Sequence, residues 1–273
     1  MNLTSLDMML AIAKKNLKIK FATYQTYLYT LGFPLMFTFL FYFIFGTQSA
    51  NIPSFPDYRI FDLSISGMIM YAGSFATINA ALSLTQEKQR GTLLRLDTTP
   101  VGRGKIFIGT PLSESVFLVF QMLIMFLVGY AVLGLKWYHN NPALLIFGFL
   151  IAFFFGLSTL GLGIIISAFA KTADSALGIS MIYAMLSVFL SGALVPFSSP
   201  IVYCLPPFYA NMLFRQIVIL GDNFWTATLR LSDLQMTADP NGIPLWSAFL
   251  ILLAFLLITL VLGIKFFQRK TIS

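Results

Sequence analysis

The sequence predicts an all-α membrane protein that crosses the bilayer several times. Of its 273 residues, 58% are hydrophobic and 10% are charged, and the mean hydropathy is +0.85. One soluble domain of this length cannot bury so much apolar surface. A backbone inside lipid must satisfy its own hydrogen bonds, and the apolar runs contain few turn signals. Together these observations favour transmembrane helices over a barrel of alternating strands.

The first 25 residues predict an amphipathic helix that lies in the membrane interface. Apolar side chains recur at spacings of three and four, which gathers them on one stripe. Lys15 points away from this stripe and Lys14 and Lys20 flank it, so that they can reach anionic lipid headgroups. The same pattern also suits a cytosolic helix packed on a partner. The stripe consists of Leu3, Leu6, Leu10, Ala13, Leu17, Phe21 and Tyr24.

Six apolar segments are long enough to be predicted as spans of one transmembrane domain, residues 1–273. Pro34 in the first span is tolerated as a kink. Between the fifth and sixth spans, residues 197–244 mix prolines with apolar stretches too short to cross, which predicts an extracytoplasmic region of re-entrant half-helices. The spans cover residues 28–46, 63–84, 112–135, 143–169, 176–195 and 245–267.

The distribution of positive charge predicts the orientation. Six spans place both termini on one side, and most of the 17 lysines and arginines fall on that side. Basic residues mark the cytoplasmic face, so both termini and the segment 86–105 are predicted to be cytoplasmic. Only Arg59, Lys136, Arg215 and Arg230 are left for the other side.

The chain carries no pattern of an enzyme or a metal site. Its single cysteine, Cys204, excludes an intramolecular disulfide, and the lone His139 lacks companions for a metal. The sequence VGRGKI at 101–106 lacks the first glycine and the Ser or Thr of a phosphate-binding loop. We therefore expect no catalytic residue, metal or cofactor in this chain.

Three carboxylates lie near the predicted spans. Asp62 and Asp174 stand at span ends, where water is expected to reach them, whereas Glu114 lies inside the third span, where an unpaired carboxylate is costly. Glu114 is expected to form an ion pair with a cytoplasmic arginine, to relay protons, or to reach the headgroups. A proton relay would suit the alternative function, an ion-coupled secondary transporter, although such proteins usually carry several polar groups near the midplane.

The cytoplasmic segment 86–105, QEKQRGTLLRLDTTPVGRGK, is a charged, glycine-containing stretch between two long apolar runs. Glu87, Arg90 and Arg95 can form polar contacts that break and re-form. Gly91 permits a bend or a close approach by a partner backbone, and Pro100 suits the first turn of a new helix. The alternative is a solvated loop whose basic residues reflect only the usual excess of positive charge on the cytoplasmic side.

This segment resembles the E-R-E-R-G-T-L-E-x-L-x-x-T-P-x-x-R stretch of permease subunits in ATP-binding-cassette exporters of the second permease family. That family includes drug, polysaccharide and lipid exporters and is akin to the G subfamily. Gln89 and Leu94 replace acidic residues of the pattern, and Thr110 with Pro111 replaces a lysine. The matching residues are Glu87, Arg90, Gly91, Thr92, Leu93, Leu96, Thr99, Pro100 and Arg103.

The resemblance implies a coupling segment that docks on a separate ABC ATPase, with the amphipathic helix alongside it. It implies two ATPase copies that bind ATP and Mg²⁺, a second permease copy, expected as a homodimer, and contact with membrane lipids but not nucleic acid. The expected activity is export of a drug, lipid or lipid-linked molecule, including multidrug efflux, by alternating access in a prokaryotic plasma membrane. The coupling residues would be Glu87, Arg90, Gly91, Thr92, Arg95, Pro100 and Arg103.

Overall fold

The protein is a helical bundle. The computed structural model describes residues 5–49, 58–91, 103–192, 200–229 and 242–271. Over these ranges the backbone forms helices and turns, and its only β contacts are isolated bridges from Ser49 to Arg59 and from Thr228 to Pro244. The predicted all-α fold class is confirmed.

The N-terminal part contains a surface helix and a bent apolar helix. The surface helix, Ser5–Ala22, packs mainly on the helix that begins at Arg103. Thr23 separates it from the apolar helix, which contains a π-helical turn that ends two residues before Pro34. The bounds are α1, Ser5–Ala22; α2, Tyr24–Tyr27; the π turn, Leu28–Gly32; and α3, Phe33–Phe45.

Helix α4, Ile60–Gln89, is the centre of the bundle. Its most apolar stretch is 94% buried, whereas the corresponding stretches of the two spans nearest the C-terminus are 28% buried. It is longer at both ends than the predicted span, 63–84. Asp62 closes a capping box with Arg59 at its start, and the polar residues 86–89 continue the helix to a stop at Gly91.

The later helices contact α4, except the last, which packs mainly on the helix Pro142–Phe169. Asn141 caps that helix by accepting a hydrogen bond from Ala143 N at 3.0 Å, and Thr172 caps the helix that begins at Ala173 by accepting from Ser175 N at 3.2 Å. The bounds are α5, Arg103–Leu127, with a π turn, Val128–Val132; α6, Pro142–Phe169; α7, Ala173–Leu190; α8, Pro206–Leu213, with a π segment, Phe214–Ile219; and α9, Leu245–Thr271.

Five helices of the described ranges are long and apolar enough to cross a membrane: Ile60–Gln89, Pro111–Val132, Pro142–Phe169, Ala173–Leu190 and Leu245–Phe267. The helix at the first predicted span, Thr30–Phe45, is apolar but shorter. A polytopic membrane protein is therefore confirmed, and the count of six spans stays a prediction. Residues 206–219 of the predicted re-entrant region are buried, and residues 197–199 and 230–241 of it lie outside the described ranges.

Small residues and hydroxyl groups join α4 to α6. Thr77 Oγ1 donates to the Thr159 carbonyl and Thr159 Oγ1 donates to the Gly73 carbonyl, both at 2.9 Å. A Cβ on Gly163 would overlap the Thr77 carbonyl oxygen. Such contacts hold helices together in lipid, where the hydrophobic effect does not.

We expect Gly163→Ala to lower the free energy of unfolding by about 1–3 kcal/mol, the usual cost of overpacking. Gly178→Ala is the matched control, because a Cβ there meets nothing within 4 Å. The control should leave stability unchanged or raise it by up to about 1 kcal/mol through helix propensity. Unfolding of both variants in detergent measures the difference, and equal stability would contradict the close contact at Gly163.

Candidate functional site

The predicted coupling segment begins at the end of the bundle where α4 stops, α5 starts and α6 turns into α7. We call this the basic end. Lys88 near the end of α4 donates to the Ala170 carbonyl after α6, at 3.5 Å, and Phe169 packs on Phe266 of α9, at 5.6 Å between ring centroids. Several helices therefore meet here.

The end of α4 exposes part of the predicted coupling motif. Arg90 is the C-cap residue and is exposed, and Glu87 one turn earlier is half-buried. Gly91 has φ +65°, a left-handed conformation that favours glycine, and a Cβ there would meet nothing within 4 Å. Within the described residues the role of Gly91 is thus the bend, not close packing.

The structure describes the other predicted coupling residues in part or not at all. Thr92, Arg95 and Pro100 lie outside the described ranges. Arg103 is the first residue of α5, and only its backbone is described. The roles of these four residues stay predictions.

A contact that the sequence did not predict joins α4 to the α6–α7 turn. Gln89 Oε1 accepts a hydrogen bond from Ala173 N at 3.3 Å. Ala173 is the first residue of α7, where a backbone N–H has no partner inside the helix. Ala81 of α4 packs on Ala170 and Ala176 nearby. Gln89, a departure from the acidic residue of the exporter pattern, thus still serves as an acceptor at a helix N-terminus.

We expect Gln89→Ala to speed hydrogen exchange at Ala173 and its neighbours, because the N–H loses its side-chain acceptor. The change should be about 5- to 10-fold, which corresponds to a net hydrogen bond of about 1 kcal/mol. Gln89→Glu should slow exchange relative to Gln89→Ala, since a carboxylate suits the positive end of the helix dipole. Exchange mass spectrometry makes the comparison, and identical protection in both variants would contradict the cap.

Glu114 is buried in an ion pair with α1. Its Oε2 lies 2.7 Å from Lys20 Nζ, and the side chains are 3% and 11% exposed. The partner is thus a lysine of the amphipathic helix, not the arginine that the sequence analysis expected. Oε1 of Glu114 has no hydrogen-bond partner among the described residues. The pair fastens α1 to α5.

A neighbouring hydrogen-bond network ties the π turn before α3 to α4 and α5. Gln121 Nε2 donates to the Thr30 carbonyl at 3.0 Å and to the Ala72 carbonyl at 2.7 Å. Thr30 Oγ1 donates to Asn79 Oδ1 at 3.1 Å. Because these side chains are buried or partly buried, a shift of one helix must either break these hydrogen bonds or move the other helices with it.

Asp62 lies buried in an ion pair at the opposite end of the bundle. The prediction that water reaches Asp62 was wrong, because the residue is fully buried, whereas Asp174 is exposed as expected. Asp62 Oδ1 lies 2.8 Å from Arg59 Nη2, and Arg59 also donates to the carbonyls of Leu133 and Gly134. The hydrogen bond to Asp62 raises the pKa of Arg59.

No group of three or more His, Cys, Asp and Glu side chains that could hold a metal ion occurs in the described part of the chain.

The chain matches a known protein family. The family model described as ABC-2 type transporter matches residues 8–219. This range runs from α1 to the π segment after α8 and includes every hydrogen bond described above at the basic end, whereas Phe266 of α9 lies beyond it. No curated protein matches the chain.

Proposed function

Since the chain belongs to the ABC-2 type transporter family, we propose that it exports a hydrophobic or amphipathic substrate. Transport is powered by a separate ATPase that docks on the basic end. Family membership makes the chain the membrane-spanning permease component, which is not itself an ATPase, and implies an ABC ATPase partner. Export direction, substrate class and the docking site are our proposal.

The convergence of helices at the basic end carries this proposal. The coupling segment, residues 86–105, includes the last residues of α4, the central helix, and the first residues of α5. Gly91, with its positive φ, lies directly after α4 and its C-cap residue. Lys88 and Gln89 fasten the same end of α4 to the α6–α7 turn. A force applied to the segment is therefore delivered to α4 and α5 directly and to α7 through two side chains.

The exposed surface supports an apolar or amphipathic substrate. Helices α3 and α7 expose large apolar side chains, among them Phe43 at 80% and Ile182 at 67%. The charged groups Glu114 and Lys20 neutralise each other. We propose that these faces meet lipid, substrate and a second copy of the chain in a homodimer, with two ATPase copies that bind ATP and Mg²⁺, in a prokaryotic plasma membrane with both termini cytoplasmic.

The same ion pair disfavours an ion-coupled secondary transporter. A proton relay needs a carboxylate that gains and loses its proton, and Glu114 is already held by an ammonium group. No second carboxylate is buried beside it among the described residues.

Reconstitution tests the proposed function. The chain is purified with and without a co-expressed ABC ATPase and placed in liposomes with a fluorescent amphipathic substrate. We expect transport only with the ATPase, ATP and Mg²⁺. Transport driven by an ion gradient without the ATPase would instead favour the secondary transporter.

A further inference from the structure

Helices α1, α4 and α7 leave a cleft of about 310 Å³ at the basic end. Helix α1 packs mainly on α5, and the cleft separates it from α4. Along α4 the cleft is lined by Ile78, Leu82, Gln86 and Arg90, which recur every four residues and so lie on one helix face.

The lining becomes wholly polar toward the end of α4. Ile78 and Leu82 line the cleft beside Asn79 and Ser83, whereas Gln86, Glu87 and Arg90 line its polar part further along the helix. Leu177 of α7 packs against the apolar cluster that contains Ile78, and these apolar residues with Leu82 form what we call the apolar part. From residue 78 to residue 90 an α-helix rises about 18 Å. This distance accommodates a headgroup and the first part of an acyl chain.

The polar part of the cleft favours an anion. Lys15 and Arg90 line it and are exposed, and within the part of the chain that the structure describes neither has an ion-pair partner. Lys20 also lines the cleft, but Glu114 neutralises it. Glu87 is the one carboxylate in the lining. Two cations therefore face one carboxylate, which leaves a net positive charge.

The surroundings of the cleft suit a lipid more than a free anion. Helix α1 and its continuation expose Ile19, Phe21 and Tyr24, at 49%, 43% and 76%. Apolar side chains beside lysines are typical of a helix that lies in the membrane interface. Phospholipid headgroups are therefore expected beside the cleft, and a free phosphate would leave the apolar part unfilled.

We propose that the cleft binds one anionic phospholipid of the adjacent leaflet, with its phosphate between Lys15 and Arg90 and an acyl chain along Ile78, Leu82 and Leu177. The lipid fills the gap between α1 and α4 and so fixes the amphipathic helix on the bundle. The cleft shares Arg90 with the proposed ATPase contact, so lipid binding is measured on this chain alone, without the ATPase.

Native mass spectrometry of the full chain in detergent tests the site. Phosphatidylglycerol, phosphatidylcholine and inorganic phosphate are the three probes. In the double variant Lys15→Gln/Arg90→Gln we expect about 30-fold weaker binding of phosphatidylglycerol, since each basic residue near an anionic headgroup contributes about a factor of five. Phosphatidylcholine should bind the unaltered chain more weakly than phosphatidylglycerol does.

Two further variants distinguish binding in the cleft from nonspecific electrostatic attraction of the lipid to the chain. Lys14→Gln/Lys18→Gln removes the same charge from exposed positions of α1 outside the cleft and should change binding by no more than about threefold. Leu82→Trp fills the apolar part and should reduce lipid binding with both cations present. Three results would each overturn the proposal. The first is an equal loss of phosphatidylglycerol binding in Lys15→Gln/Arg90→Gln and Lys14→Gln/Lys18→Gln. The others are unchanged binding in Lys15→Gln/Arg90→Gln and displacement of the lipid by equimolar inorganic phosphate.

Discussion

Glu114→Ala is expected to lower the free energy of unfolding by about 3–5 kcal/mol, because it leaves the buried ammonium of Lys20 without a partner. The two groups lie 2.7 Å apart, and the carboxylate side chain is 3% exposed. Lys20→Ala should have a similar effect, since it strands the carboxylate. Unfolding in mixed micelles, followed by circular dichroism, measures both variants.

A double variant separates pairing from packing. Lys20→Met/Glu114→Leu replaces the ion pair with apolar side chains of similar size, and such replacements are often neutral or stabilising. We therefore expect the double variant to be more stable than either single alanine variant. Lys18→Ala, at an exposed position of the same helix, should change stability by no more than about 0.5 kcal/mol. Single alanine variants as stable as Lys18→Ala would contradict the buried pair.

The second large effect is expected at the end of α4. Glu87→Ala and Arg90→Ala should each weaken the permease–ATPase complex roughly 30-fold or more, because removing one partner of an interfacial charge pair costs about 2–5 kcal/mol. Transport should fall in parallel, whereas ATP hydrolysis by the free ATPase should not change. Surface plasmon resonance on permease in nanodiscs, together with transport in liposomes, measures both quantities.

The matched control for these variants is Lys136→Ala. Lys136 is an exposed cation at the opposite end of the bundle and outside the coupling segment. We expect this variant to keep complex affinity within about threefold of the unaltered chain, as surface charges contribute little. If Glu87→Ala and Arg90→Ala behave like Lys136→Ala, these residues are not the docking contacts.

Hydropathy made the long helices predictable, because a helix in lipid needs a continuous apolar run. The ends of α4 were harder to predict. Gln86–Gln89 is polar and looks like loop in sequence, yet the helix continues to Gly91, the first residue with positive φ. The π turns at Leu28–Gly32 and Val128–Val132 left no sequence signal that we recognised.

The sequence predicted which segment forms the candidate site, but it did not predict which contacts the residues there make. The order of charges in the coupling segment was visible in the sequence. The partners of Glu114 and Gln89 were not, because they depend on how α1 lies against α5 and how the α6–α7 turn lies against α4. Asp62 was misjudged for the same reason, since the N–H group that donates to it and the two carbonyls that accept from its partner Arg59 come from the distant residues 133–136.

Cysteine cross-linking tests most directly whether the segment that follows α4 is the part held by the ATPase. The single natural cysteine, Cys204, is first replaced by serine. Arg90→Cys and, at the opposite end of the bundle, Lys136→Cys are then each treated with a short bifunctional maleimide in the presence of an ABC ATPase that carries an engineered surface cysteine. Our account predicts an ATP-sensitive cross-link from position 90 and none from position 136. Cross-linking from position 136 but not from position 90 would contradict it.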